Sequence, residues 1–174
     1  DYPLNDQVTL NLGIALISTG SFPEAINVLQ GSVDRYPNQP NLMEVLVKLG
    51  YALAKNGQCE QALPVFGRAI AGSDSKSAAE AQFRIGDCAA ELQERDRAMV
   101  EYLKVVYLYP MHPSWVALAQ FRAANMYEEL GKEEEAMTLY QKLITTAEDQ
   151  VLVEKAKARV TALSQELPQK TNKP

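Results

Sequence analysis

Apolar and small residues recur along this chain at helical spacing, and the same arrangement comes round four times. Each round sets a small residue among apolar ones, then a break, then an alanine followed four positions on by an aromatic residue or leucine. The first round reads Leu12-Gly13, Leu16, Gly20, Phe22, Ala25, Leu29 and Pro37. The second reads Leu49-Gly50, Leu53, Gly57, Ala62, Phe66 and Ala69. The third is Ile85-Gly86, Ala89, Ala98, Tyr102 and Pro110, and the fourth is Ala123-Ala124, Tyr127, Gly131, Ala136 and Tyr140. The alanines Ala25, Ala62, Ala98 and Ala136 lie 37, 36 and 38 residues apart. A period in that range marks a solenoid of repeated helix pairs. Such an array builds an extended binding surface more readily than a catalytic pocket.

The pattern predicts an all-α chain. Helices are expected at 6–18 and 22–35, 40–56 and 59–72, 76–93 and 95–109, then 113–130 and 133–147, with a last single helix at 149–166. Residues 167–174 lack an apolar face and read as a disordered tail. Ser21-Phe22-Pro23-Glu24 has the form of a capping box, with Ser21 accepting from the Glu24 amide and Glu24 reaching back. Gly20, Gly57 and Gly131 supply permissive backbone for tight turns, and Pro37 and Pro110 end their helices. Mid-helix Gly13, Gly50 and Gly86, with Ala124, make sense where a second helix crosses closely. Ala25, Ala62, Ala98 and Ala136 are the expected flat spots opposite them. Two places break the pattern: Pro64 should bend its helix or delay its start, and Gln93-Glu94-Arg95-Asp96 replaces the turn glycine of the third round.

Composition narrows the function classes. The chain has 174 residues, 47% hydrophobic, with 22 acidic and 17 basic side chains and a net charge of −5. A nucleic-acid partner would need a basic stripe that this balance does not supply. No run of about eighteen apolar residues is present, so no segment is expected to enter a membrane. Asp1-Tyr2-Pro3 repeats the helix endings Arg35-Tyr36-Pro37 and Leu108-Tyr109-Pro110, so residues 1–5 read as the tail of a preceding repeat in a longer protein. Chemistry finds little footing. His112 is the single histidine and lies in a Pro-flanked linker, and with Cys59 and Cys88 it makes no metal set. No phosphate loop or nucleophile elbow appears. Glu133-Glu134-Glu135 opens a helix, where acidic side chains suit the positive dipole end. No catalysis and no cofactor are expected.

Taken in order, these residues resemble the tetratricopeptide repeat, a 34-residue pattern of Trp, Leu-Gly, Tyr, Gly, Tyr, Ala, Phe, Ala and Pro. The resemblance covers residues 1–147, and four copies in register make it specific. It implies a right-handed superhelix of tandem helix-turn-helix repeats at 6–39, 40–75, 76–112 and 113–148, closed by a capping helix at 149–166. The repeats run longer than the family norm, with the excess in linkers such as Pro37-Asn38-Gln39-Pro40 and Pro110-Met111-His112-Pro113. Together with the Ala-rich openings, those linkers resemble a bacterial envelope subgroup that includes TolA-binding proteins and outer-membrane assembly lipoproteins. That likeness implies a periplasmic or outer-membrane-associated setting.

In this family the first helix of each pair lines a concave groove. The resemblance therefore implies two stripes facing it, Leu10, Val47, Phe83 and Phe121, and one turn later Ile14, Tyr51, Asp87 and Asn125. Lys55, Arg84, Arg122, Glu128 and Glu129 flank them. A groove so lined suits an amphipathic helix or an extended peptide with apolar anchors. The other reading of Phe83 and Phe121 is packing between repeats. Family members that clamp a terminal carboxylate use Lys and Asn in the stripes, and here Asn125 alone matches. Cys59 and Cys88 fall on helices that are neighbours in such a stack, which leaves a disulfide and two buried thiols both open. The expected function is a non-catalytic interaction module for a protein or peptide partner. The alternatives are a self-assembling or spacer element, and a regulatory arm of a larger protein.

Overall fold

The computed structural model describes residues 6–72 and 74–170. Among these there are nine helices and no strand. They are α1 (Asp6–Ser18), α2 (Phe22–Arg35), α3 (Leu42–Lys55), α4 (Cys59–Ile70), α5 (Ser75–Glu91), α6 (Arg95–Leu108), α7 (Pro113–Glu129), α8 (Glu133–Thr146) and α9 (Gln150–Lys170). The predicted all-α fold of paired helices stands. The last helix runs four residues past its predicted end, so residues 167–170 are helical and not tail, while 171–174 lie outside the described residues. The preceding-repeat tail expected at 1–5 also lies outside them.

The chain divides into two compact units between Leu92 and Gln93. In the first, α2 packs on α1 and α3, α4 packs on α3 and α5, and the first helices α1, α3 and α5 lie side by side. Its core gathers Leu10, Leu29, Val45, Leu46, Val47, Leu49 and Phe66, each at most 1% exposed. In the second unit α7 packs against α6 and α8, and α9 packs against α8 and α7.

The small-residue rule holds with a change of partner. Ala25, Ala62, Ala98 and Ala136 are fully buried. The atoms nearest the glycines, however, belong to the residue four positions on. A methyl at Gly13 would meet Leu29 at 2.5 Å, and one at Gly50 would meet the Phe66 ring at 2.5 Å. The mid-helix glycines make room for these large side chains, and the close approach offsets the helix propensity they give up.

Turns and caps differ from the sequence expectation in three places. Gln93 adopts φ 63°, close to the 70–77° of Gly20, Gly57 and Gly131, so the third turn is built like the others without glycine. Ser21 caps α2 with its backbone carbonyl, which accepts from Ala25, while its side chain makes no cap bond. Its own amide donates to the Leu16 carbonyl at 2.9 Å, leaving Glu24 no orphan donor to reach back to. A side-chain cap forms instead at Asp74, which accepts from the amides of Lys76 and Ser77 at 3.1 and 3.3 Å. The Ser77 hydroxyl donates to the same carboxylate, and that bond above all holds the Asp74 carboxyl below its ordinary range. Pro64 does not delay α4, which starts at Cys59, and it stands on the exposed side of the helix.

Candidate functional site

Successive first-helix residues turn by about 100°, so one position decides whether a side chain faces a neighbouring helix or solvent. The stripe of Leu10, Val47, Phe83 and Phe121 falls on the inward side. Leu10 and Val47 are each 1% exposed and belong to the core of the first unit, and Phe83 is 4% exposed. These three are corrected from groove contacts to packing residues, because the chain's own fold buries them. The second stripe is the more open one. Ile14 is exposed, and Tyr51, Asp87 and Asn125 are half-buried.

In the first unit this stripe carries a charged cluster on α3 and α5. The Arg84 guanidinium lies 4.5 Å from the centre of the Tyr51 ring, and the Lys55 ammonium lies 5.7 Å from the same ring. Arg84 donates to Asp87 at 3.1 Å and stands 3.7 Å from Glu80. Lys48 donates to both oxygens of Glu80, at 3.0 and 3.1 Å. Lys48 and Arg84 are paired on a part-buried surface, where ion pairs are worth more than in open water. The cluster sets the Tyr51 ring with a guanidinium over its face. Lys48 and Glu80 were not among the expected site residues. The signal was present: Lys48 directly follows Val47, and Glu80 precedes Arg84 by one helical turn.

The second unit handles its stripe differently. Phe121 packs edge-on against Tyr140 of α8, with ring centres 5.5 Å apart and planes at 61°. The Tyr140 hydroxyl lies 2.5 Å from both the Asn125 Oδ1 and the Glu128 Oε1. Glu128 is further paired with Arg159 of α9, whose Nε donates to it at 3.1 Å. Burial pushes the Tyr140 phenol well above its usual range, and the adjacent Glu128 carboxylate adds to that. Asn125 is thus engaged by its own unit. Its amide oxygen faces the phenol. Arg122 is exposed on α7.

Cys59 and Cys88 come together between α4 and α5 as free, buried thiols. The Cys59 thiol donates to Glu91 at 3.2 Å. Burial, the Cys88 thiol and the Glu91 carboxylate all push the Cys59 thiol far up, and burial raises Cys88 as well. Both therefore stay protonated near neutral pH, which suits packing more than nucleophilic attack. Among the described residues no group of three or more His, Cys, Asp or Glu side chains is placed to hold a metal. No described helix is long and apolar enough to cross a membrane.

A family model described as tetratricopeptide repeat matches residues 47–114, and a second of the same description matches 118–147, together more than half of the chain. No curated protein matches it. Among solved structures, a tetratricopeptide repeat protein from Parabacteroides merdae is 17% identical with a TM-score of 0.71, over 92% of this chain and 60% of that one. This chain thus spans about three fifths of that relative. A Podosopora anserina putative kinesin light chain with nearly identical repeats is 18% identical with a TM-score of 0.75, over 98% and 90% of the two chains. YrrB, described as a repeat protein with an unusual peptide-binding site, is 24% identical with a TM-score of 0.65, over 90% and 76%. At these identities the likeness to solved structures establishes the fold.

Proposed function

The chain belongs to the tetratricopeptide repeat family, and on that premise we propose that it is a non-catalytic scaffold that takes a peptide or helix of a partner protein on its first helices. The observation that carries this reading is the half-buried Tyr51 ring of α3 with Lys55 of α3 and Arg84 of α5 beside it. A ring fixed by charged neighbours gives a rigid, amphipathic contact at low entropic cost, the usual character of an interface anchor. Lys48, Glu80 and Asp87 around it supply matched charges for the polar edge of a ligand, and Ile14 adds an apolar contact on α1. The repeat boundaries at 6–39, 40–75, 76–112 and 113–148, with α9 as a closing helix, go with this reading. So does a place in a bacterial envelope complex, which the linker likeness supports.

The test is affinity capture from extract of the source cells, with the chain beside a Tyr51→Ala/Lys55→Ala version whose helicity is verified by circular dichroism. A partner peptide mapped by crosslinking to α3 and α5, and lost by the double variant, supports the proposal. A partner held equally by both forms overturns it.

A further inference from the structure

Both cysteines of the chain fall at one junction of the repeat array, inside the first unit. Cys59 is the first residue of α4, and Cys88 lies in the last turn of α5. They are 5% and 0% exposed and belong to one apolar cluster with Leu53, Ala62 and Ala81. The two thiols are within hydrogen-bonding reach of each other. Cys59 also donates to Glu91, one turn beyond Cys88 on α5. The repeat itself sets this neighbourhood. In the second unit the places of Cys59 and Glu91 are held by Arg95 and Glu129, and these also meet, the Arg95 Nε donating to Glu129 at 2.7 Å. The place of Cys88 there is taken by the buried Met126. Between α2 and α3 the two cysteine places hold Phe22 and Ala52. The α4–α5 junction alone sets thiol beside thiol.

We propose that Cys59 and Cys88 are a disulfide site, which in an oxidising setting staples the start of α4 to the end of α5, and whose state is set as the chain folds. The oxidant is an external disulfide, R–S–S–R. One cysteine, as thiolate, attacks an R sulfur, forming a mixed disulfide and expelling R–S⁻. The other cysteine then attacks the protein-side sulfur of that bond, so the Cys59–Cys88 bond forms and the second R–S⁻ leaves. The protons shed by the two cysteines end on two R–SH molecules, which also carry the two electrons that the cysteines lose. Burial decides when this happens. In the folded chain both thiols are enclosed and held protonated, so their attack on an external disulfide is slow. In the unfolded chain both are open to solvent, with ordinary thiol reactivity. A chain that folds under oxidising conditions therefore carries the bridge, and one that folds reduced keeps its thiols. Once made, the bridge is enclosed by the same core and shielded from reductant. It closes the loop of residues 60–87, which restricts the unfolded chain and so stabilises the fold.

The test refolds the reduced, denatured chain in a buffer of oxidised and reduced glutathione, then alkylates it in denaturant and weighs it. The expected product is a monomer lighter by two hydrogens that takes up alkyl groups only after reduction. Its melting temperature should stand about 10 °C above that of the same chain refolded with reductant. Cys59→Ala/Cys88→Ala should melt at one temperature in both buffers, which separates the bridge from any other effect of the buffer. The chain folded reduced and then moved to the glutathione buffer should close the bridge about tenfold more slowly than the refolding chain, or slower still. Two alkylatable thiols after oxidative refolding overturn the proposal. So do glutathione adducts or disulfide-linked dimers in place of the internal bond, and so does a bridged form that melts no higher than the reduced one. Closure in the folded chain as fast as during refolding overturns the claim that folding sets the state.

Discussion

The two units treat one repeat position in opposite ways. Four residues after the anchor alanine, the first unit has Phe66 lying on Gly50, and the second has Tyr140. Phe66 ends in a ring edge and asks nothing polar of its surroundings. Tyr140 ends in a hydroxyl that reaches Asn125 and Glu128 on α7, and through Glu128 is linked to Arg159 on α9. The register counterpart of Asn125 in the first unit is Tyr51, which no such hydroxyl claims, and it sits half-open among Arg84 and Lys55. One oxygen atom thus decides whether the second-helix side chain draws on the first helix for a hydrogen bond. A buried hydroxyl must find partners, and it takes them from the nearest helix.

Exchanging the two side chains should break this comparison most strongly. Tyr140→Phe strips Asn125 and Glu128 of a buried partner and should cost about 2 kcal/mol, read from chemical denaturation. It also carries a pH signature. The Tyr140 pKa is raised in the folded state, so its contribution is complete below the unfolded value near 10 and fades as pH rises above it. Tyr140→Phe should flatten the alkaline loss of stability, and an unchanged alkaline limb would contradict the assignment.

The reverse exchange, Phe66→Tyr, buries a hydroxyl where Tyr51 and Ala54 stand in place of Asn125 and Glu128. It should cost roughly 2 kcal/mol. A neutral result would show that the first unit also holds a partner for it. Next comes Gly50→Ala, which drives a methyl onto the Phe66 ring and should destabilise by about 1.5 kcal/mol. Gly13→Ala should cost less, since Leu29 has rotamers by which to yield and a ring does not. Thermal melts of both variants rank them.

The capping aspartate is a smaller lever. Asp74→Ala should lower stability by about 1 kcal/mol at neutral pH. Because the Asp74 pKa is depressed, its contribution is present above the unfolded value and lost as pH falls through the folded one. The gap between parent and variant should therefore close in acid, and a gap that persists there would remove the carboxylate from the cap. The smallest effect runs the other way. Gln93→Gly relieves a left-handed residue and should raise stability by about 0.5–1 kcal/mol, visible as a higher melting temperature.

Much of this was legible in the residues. The alanine period, the glycine turns and the proline stops place the helix pairs, because spacing and backbone preference are local properties. The third turn departs from expectation because the absence of glycine suggests different geometry, whereas Gln93 adopts a φ close to that of the turn glycines. The candidate site was half legible. Both stripes are expected to face the groove, whereas Leu10, Val47 and Phe83 of the first are buried. Spacing fixes which residues share a helix face, and it does not say which of two adjacent faces a neighbour covers.

The sequence alone determined the repeat and the helix pairs, since each rests on residue type and interval. The tertiary structure decided the rest. It selected Leu29 and Phe66 as the side chains that fill the glycine gaps, tied Asn125 to a tyrosine fifteen residues away, and gathered Lys48, Glu80, Arg84 and Tyr51 from two helices. These outcomes depend on which helix lies against which, a relation among distant segments that no single segment carries.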